Sequence, residues 1–209
     1  MLFRSFSTGQ RCTGSSRLVV QSGIHDRFVA AVRDRLSTLK VDHALKVGTD
    51  IGPVASQAQL DQDCFYIELA RQECGHVAFG GELLQRETPG YYLSPALITE
   101  TSNQMRVNRE EIFGPVATVI RVADYEEALQ VANDTVFGLS SGICTTSLKY
   151  ATDFKRRSTA GMVMVNVPTA GVDYHAPFGG RKGSSYGSRE QGGYAREFYT
   201  SVKTAYTLA

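Results

Sequence analysis

The chain has 209 residues, 42% of them hydrophobic and 21% charged, which is ordinary for a globular chain carrying one good-sized domain or two small ones. Lys+Arg number 22 against 21 Asp+Glu, a net +1, so no global field points to nucleic acid or an anionic membrane. No apolar run reaches the length of a membrane-spanning helix.

Met1–Phe6 is basic and free of acids. It is too short for a transit peptide and reads as a helix remnant. Ser7–Arg17 follows, with Cys12 set between Arg11 and Arg17 and with Gly9 and Gly14 on either side. Arg17–Val20 reads as a short buried strand. Phe28, Val32, Leu36 and Leu39 recur at helical spacing across His25–Leu39, which predicts an amphipathic helix packed on a sheet. Lys46–Pro53 is a Gly/Pro-containing loop. Ser56-Gln57-Ala58-Gln59 has the form of a capping box opening a helix through about Cys74, with Gly75 as its C′ residue. His76–Phe79, Gly80-Gly81 and Glu82–Leu84 read as a hairpin or tight turn between strands. Tyr91–Leu93 and Ala96–Ile98 are strand candidates on either side of Pro95.

Val116–Val122 is apolar and β-branched, a buried strand. Asp124-x-x-Glu127 repeats the capping-box form before a helix from Tyr125 to about Asn133, with Ala128, Leu129 and Ala132 on one face. Gly138–Thr145 is a strand of small residues. Ser147 caps a helix through about Ser158, which Gly161 ends, and Met162–Asn166 is the last strongly buried strand. Asn166–Gly193 is a long Gly-rich connection, of a length that is usually functional or disordered. A short helix near Gly192–Tyr199 and a β-prone tail, Ser201–Thr207, finish the chain. The alternation predicts an α/β fold with an open, twisted, mostly parallel sheet flanked by helices.

Chemistry concentrates around Cys12. A thiol is a nucleophile only as thiolate, and nearby cations favour that form. Glycines let the backbone turn tightly and bring an N–H to a reacting oxygen. A buried inert cysteine beside surface arginines is the other reading of the same residues. Cys12, Cys64, Cys74 and Cys144 show no metal-ligand spacing. With no secretion signal they read as reduced thiols, and a cytoplasmic location is expected. Gly179–Gly187 lacks the Gly-Lys-Ser/Thr ending and the preceding strand of a phosphate loop.

Ser7-Thr8-Gly9-Gln10-Arg11-Cys12 resembles the nucleophile segment of the aldehyde dehydrogenase superfamily. Glu110-Glu111-Ile112-Phe113-Gly114-Pro115-Val116 is similar to that family's cofactor-ribose segment, and Pro177-Phe178-Gly179-Gly180-Arg181-Lys182-Gly183-Ser184 to its late Pro-Phe-Gly-Gly segment. The resemblance runs from Ser7 to the end. It implies NAD(P)-dependent oxidation of a small-molecule aldehyde to a carboxylic acid, with NAD or NADP as cofactor. Cys12 is then the thiol that forms a thiohemiacetal and a thioester, its N–H helping to hold the oxyanion.

On the same resemblance Glu111 takes the ribose hydroxyls and Phe113 packs beside the nicotinamide. Gln59 matches a position on the adenosine side, although its role in the cap is an equal reading. Phe178 matches an aromatic of the substrate tunnel, against ordinary core packing. Arg11, His175 and Arg181 could hold a substrate carboxylate, or simply lie at the surface. Pro168–His175 is similar to the branch oxidising 2-oxoglutarate semialdehyde, which implies an acidic aldehyde.

Family members are much longer and place most of the dinucleotide domain before the cysteine. Residues 1–198 are therefore expected to be a catalytic domain truncated at its N-terminal side, with 199–209 an oligomerisation strand. The general base, the oxyanion asparagine and the glycine cofactor loop lie upstream in the family. Weak or absent activity of the chain alone follows, as does a homo-oligomer or a complementing cofactor-domain chain as partner. Two alternatives remain: an acylating relative that passes the thioester to coenzyme A, and a non-catalytic binding or assembly module.

Overall fold

The structure, a computed structural model, describes residues 6–171 and 173–209. Residues 1–5 of the leading stretch read as a helix remnant, and Val172 within Pro168–His175, lie outside the described residues. The chain alternates β1 (Arg17–Gln21), α1 (Ser22–Ser37), α2 (Gln57–Gln72), β2 (His76–Phe79), β3 (Leu83–Leu84), β4 (Tyr92–Leu93), β5 (Ala96–Thr101), α3 (Arg106–Arg109) and β6 (Val116–Val122). It continues through α4 (Tyr125–Asn133), β7 (Ser140–Ile143), α5 (Leu148–Arg157), β8 (Met162–Val165) and α6 (Ala195–Tyr199).

The central sheet has the order β1-β6-β5-β2. β1–β6 and β6–β5 are parallel, and β2 closes one edge antiparallel to β5. Both faces of its inner strands are covered, which explains their near-continuous apolar sequence. Ala96, Ile98 and Val116 point to the side where Leu60, Ile67 and Ala70 of α2 pack. Leu97 and Val119 point to the other, with Leu18, Val20 and the Phe28, Val32 and Leu36 face of α1. Period-two alternation thus sorts one strand's side chains between two helices. Leu39 does not extend that face. It lies beyond the end of α1 and packs with Val41, Ile51 and Tyr92.

The central sheet carries the expected mostly parallel α/β arrangement, and the other strands of the described residues form two separate pairs, β3–β4 antiparallel and β7–β8 parallel. Several expectations need correction. β2 and β3 are therefore not a hairpin. Gly80 and Gly81 both take positive φ (64° and 87°), and a Cβ on Gly80 would overlap the Pro95 carbonyl, so the chain leaves one sheet and joins another instead of folding back. β8 is only half-buried, because its sheet has two strands and leaves it uncovered on one edge. α2 ends with Cys74, not Gly75, in the left-handed C′ position (φ 68°). Cys74 N–H donates to the Arg71 carbonyl and Gly75 N–H to the Ala70 carbonyl, the paired bonds of a Schellman ending. α5 stops at Arg157 with Ser158 extended, and Gly161 instead donates its N–H to the Gly138 carbonyl beside β7. Residues 200–209 are exposed and pair with no strand of this chain; a strand there needs the edge of another subunit.

Candidate active site

β1 and β6 are neighbours and run the same way, so the segments that lead into them arrive side by side. Ser7–Ser16 precedes β1 and Glu110–Pro115 precedes β6. The Ser16 carbonyl accepts from Thr118 N–H at 2.9 Å, which joins the two at the start of the ladder. Both motifs lie at the amino ends of the strands, whereas ligands of doubly wound sheets usually sit at the carboxyl ends.

Close packing fixes their separation. Gly9 lies against Gly114 so tightly that a Cβ would overlap the Gly114 carbonyl and come within 2.9 Å of the Pro115 nitrogen. Ser7, Thr8 and Gly9 take φ of 54°, 57° and 70°. Left-handed backbone at a non-glycine residue costs about 1–3 kcal/mol and persists only where surroundings over-determine it. Here Thr8 is buried and its hydroxyl donates to the Gly52 carbonyl at 3.2 Å. Gln10 accepts from Ala55 N–H at 3.1 Å. Turns close with Gln10 N–H to Ser7 O at 2.9 Å and Gly14 N–H to Arg11 O at 3.0 Å. The product is a pinned loop that presents Cys12 and Arg11 at the surface, both exposed.

The second motif rests on α2. Asp63 is fully buried in that helix, and a Cβ on Gly114 would overlap its carboxylate. Gln59 donates through Nε2 to Asp63 Oδ1 and to the Ile112 carbonyl, each at 2.9 Å. Gln62 donates to the same carbonyl at 2.9 Å. Ser56 does cap α2, accepting from Gln59 N–H at 3.2 Å, but the Gln59 amide is turned to the Ile112 carbonyl and Asp63. In this structure Gln59 is a brace under Glu111–Phe113.

The two adjacent glutamates part company. Glu110 accepts from Arg106 Nε at 2.7 Å and from the Tyr66 hydroxyl at 2.8 Å. The Arg106 bond, then the Tyr66 bond, hold its carboxyl below the usual range. Glu111 is exposed. Phe113, half-buried, takes φ 58° between them and Gly114.

The third motif is seated on the β7–β8 pair. Arg181 N–H donates to the Gly138 carbonyl at 2.9 Å, and Gly138 N–H to the Ser184 hydroxyl at 2.9 Å. A Cβ on Gly161 would overlap the Gly179 carbonyl. Phe178 is half-buried. His175 is exposed and its Nδ1 lies 3.1 Å from Asp173, so a neighbouring carboxylate offsets part of any positive charge it offers a substrate. Arg181 is exposed. The cysteine loop touches the connection that leads to the third motif through the Ser15 and Thr169 hydroxyls, 2.8 Å apart. Among the described residues, no group of His, Cys, Asp and Glu could hold a metal ion, and no helix is long and apolar enough to cross a membrane.

Comparison with known proteins follows the same three motifs. The chain is 44% identical over 202 residues to the alpha-ketoglutaric semialdehyde dehydrogenase of Bacillus subtilis (strain 168), covering 96% of this chain and 41% of that protein. It is 40% identical to the alpha-ketoglutarate semialdehyde dehydrogenase of Haloferax volcanii, covering 96% and 42%. Among solved structures it superposes on HpcC from Thermus thermophilus with a TM-score of 0.90 at 38% identity, covering 97% of this chain and 40% of that one. On betaine aldehyde dehydrogenase from Staphylococcus aureus in complex with NAD+, the TM-score is 0.89 at 31% identity, with 95% and 40% covered. The chain thus spans about two fifths of the length of the relatives it matches. The model of the aldehyde dehydrogenase family matches residues 2–205, and with so little left outside that match the chain belongs to this family.

Proposed function

We propose that this chain is the thiol-bearing part of an NAD(P)-dependent aldehyde dehydrogenase that oxidises an acidic semialdehyde of the 2-oxoglutarate type to the carboxylic acid. The observation that carries the reading is the packing of Gly9 on Gly114, which sets the Cys12 loop against the Glu111–Phe113 segment. In the proposed reaction Cys12 Sγ, as thiolate, adds to the aldehyde carbon, and the carbonyl electron pair moves to oxygen, where the Cys12 N–H donates. Glu111 and Phe113 fit a nicotinamide dinucleotide: an exposed carboxylate accepts from ribose hydroxyls, and a half-exposed ring packs beside the base. When bound, the nicotinamide supplies the hydride acceptor. Cys12 Sγ holds the acyl group until water releases it as the acid and restores the thiol.

Arg11 and Arg181 supply positive charge for a substrate carboxylate, with His175 contributing less because of Asp173. The name of the Bacillus subtilis relative supports this substrate class. Residues 1–198 are the catalytic domain in this reading and 199–209 the segment that pairs with another subunit, in a homo-oligomer or with a chain supplying the dinucleotide domain. All four cysteines are free, which suits a reducing, cytoplasmic setting.

Peptide mapping after brief labelling with limiting iodoacetamide tests the site. Cys12 is expected to label well ahead of the exposed Cys74 and Cys144, and ahead of Cys64, whose thiol burial pushes up. Labelling of Cys12 no faster than the others overturns its role. The chain alone is expected to oxidise aldehydes poorly, and brisk NAD-dependent turnover by it would overturn the domain assignment. A substrate panel on the enzyme completed by a dinucleotide domain tests specificity: better oxidation of a neutral aldehyde than of acidic ones removes the substrate proposal.

A further inference from the structure

No sequence motif marks the carboxyl end of α4, yet one residue within or beside each of the three motif segments bonds to it. A helix end leaves its last carbonyls without internal partners and carries the negative pole of the helix dipole. Here the successive carbonyls from Val131 to Thr135 are all taken by cationic side chains. Arg17, at the start of β1 just after the cysteine loop, donates from Nη1 to Val131 O at 3.0 Å and from Nη2 to Ala132 O at 3.3 Å. Lys182, inside the Pro177–Ser184 motif, donates to Asn133 O at 2.7 Å and Thr135 O at 3.1 Å. Arg109, immediately before Glu110-Glu111, donates to Asp134 O at 2.8 Å.

The cluster is knit further. Asn103 accepts from Arg17 at 2.6 Å and donates to Asp134 Oδ2 at 2.8 Å, while Arg109 pairs with Asp134 at 3.1 Å. Two of these cations lie where their charge is disfavoured. Burial, then Arg109, lowers the Arg17 pKa, and burial, then Arg17, lowers that of Lys182. Mutual repulsion is accepted here because the carbonyls and Asp134 offset it. A surface cap on one helix would need only one such cation.

We propose, on the reading that the three segments make one site, that the carboxyl end of α4 is their common anchor, with Arg17 and Lys182 as positioning residues for the Cys12 loop and the Phe178 segment. Lys182 reaches Cys12 by two routes. It shares the helix end with Arg17, and it holds the Asn166–Gly193 connection whose Thr169 bonds Ser15. Removing the ammonium therefore loosens the cysteine loop although Lys182 belongs to another motif.

The test uses the full chain and needs no catalysis. The rate of Cys12 alkylation by iodoacetamide is measured relative to Cys144 in the same sample, for Lys182→Met, Lys182→Arg and Lys149→Met. Lys149 is exposed on α5, so its variant makes the same charge change away from the anchor. Lys182→Met is expected to change the Cys12/Cys144 ratio by about 3-fold or more. Lys182→Arg, which can still donate to two carbonyls, should return it to within about 2-fold, and Lys149→Met should leave it alone. In the double variant Arg17→Lys/Lys182→Met the two effects should not multiply, because both act through one helix end. Ratios that stay unchanged in Lys182→Met, or that move equally in Lys149→Met, overturn the proposal, as does strict multiplicativity. Should Lys182→Met fail to fold, Lys182→Gln is compared with Lys182→Arg by amide exchange. Faster exchange at Gln10 and Gly14 in the Gln chain alone supports the anchor, and equal exchange overturns it. A slow Cys12 in the unaltered chain counts against the proposed function, whereas the anchor is read only from the change between variants.

Discussion

Gly9→Ala probes the contact on which the site depends. The added methyl would overlap the Gly114 carbonyl and lie 2.9 Å from the Pro115 nitrogen. Both are backbone atoms, so no side chain can swing aside, and Asp63 behind Gly114 is fully buried and blocks retreat on that side. Overpacking of this kind costs about 1–3 kcal/mol, and a Cβ at φ 70° adds about 1–2 kcal/mol. The sum, about 2–5 kcal/mol, is a large share of a typical domain stability of about 5–15 kcal/mol. With a urea slope of about 2–3 kcal/mol/M, the unfolding midpoint should fall by about 0.7–2.5 M. Limiting iodoacetamide should at the same time find a Cys12 whose rate no longer differs from that of exposed Cys144. Gly23→Ala is the control. Gly23 lies in α1 with nothing within 4 Å of its Cβ position, so alanine should stabilise by about 0.5–1 kcal/mol. A Gly9→Ala chain with the parental midpoint and the parental Cys12 rate would refute the reasoning.

Gln59→Leu should cost about 1–3 kcal/mol in the same denaturation assay, because it strips a donor from the buried Asp63 carboxylate and from the Ile112 carbonyl. Gln57→Leu on the exposed face of the same helix should stay within about 0.5 kcal/mol. Asp124→Ala should lose about 1 kcal/mol in thermal unfolding, since Asp124 accepts from Glu127 N–H at 3.0 Å as the cap of α4. Acid should destabilise the chain in a defined direction. The carboxyls of Asp26, Asp134, Asp153, Glu110 and Glu126 are held below 3.8 (Asp) or 4.5 (Glu), chiefly by hydrogen bonds from His25, Arg109, Tyr125, Arg106 and Arg157 respectively. The unfolded chain then binds more protons, so this stability is present above the unfolded values and lost as pH falls through the folded ones. Urea midpoints should be flat down to about pH 5 and decline below about pH 4; a midpoint that rises in acid would contradict these pairings.

Local sequence determined the elements that depend on neighbours along the chain. The Val116–Val122 strand and the Tyr125–Asn133 helix fall at the residues their pattern predicts, because β-branched packing and an Asp cap act within a few residues. Family likeness in three short motifs is legible for the same reason: each motif is contiguous. Spacing alone puts Leu39 on the helix face, because spacing does not register where a helix stops. The Gly80-Gly81 pair does not make a hairpin, because two glycines permit a reversal without requiring one.

What only tertiary structure decided is which distant segments meet. Nothing local says that β1 pairs with β6, yet that pairing brings Gly9 to Gly114. Arg106 meets Glu110 at local i,i+4 spacing, but only the fold brings the Tyr66 hydroxyl of α2 to Glu110 and leaves Glu111 at the surface. No motif links Arg17, Arg109 and Lys182 along the chain, and the end of α4 supplies the carbonyls they share. The physical reason is common to all three cases: hydrogen-bond and packing partners far apart in the chain are chosen by the fold, and a side chain's role is set by the partner it finds there.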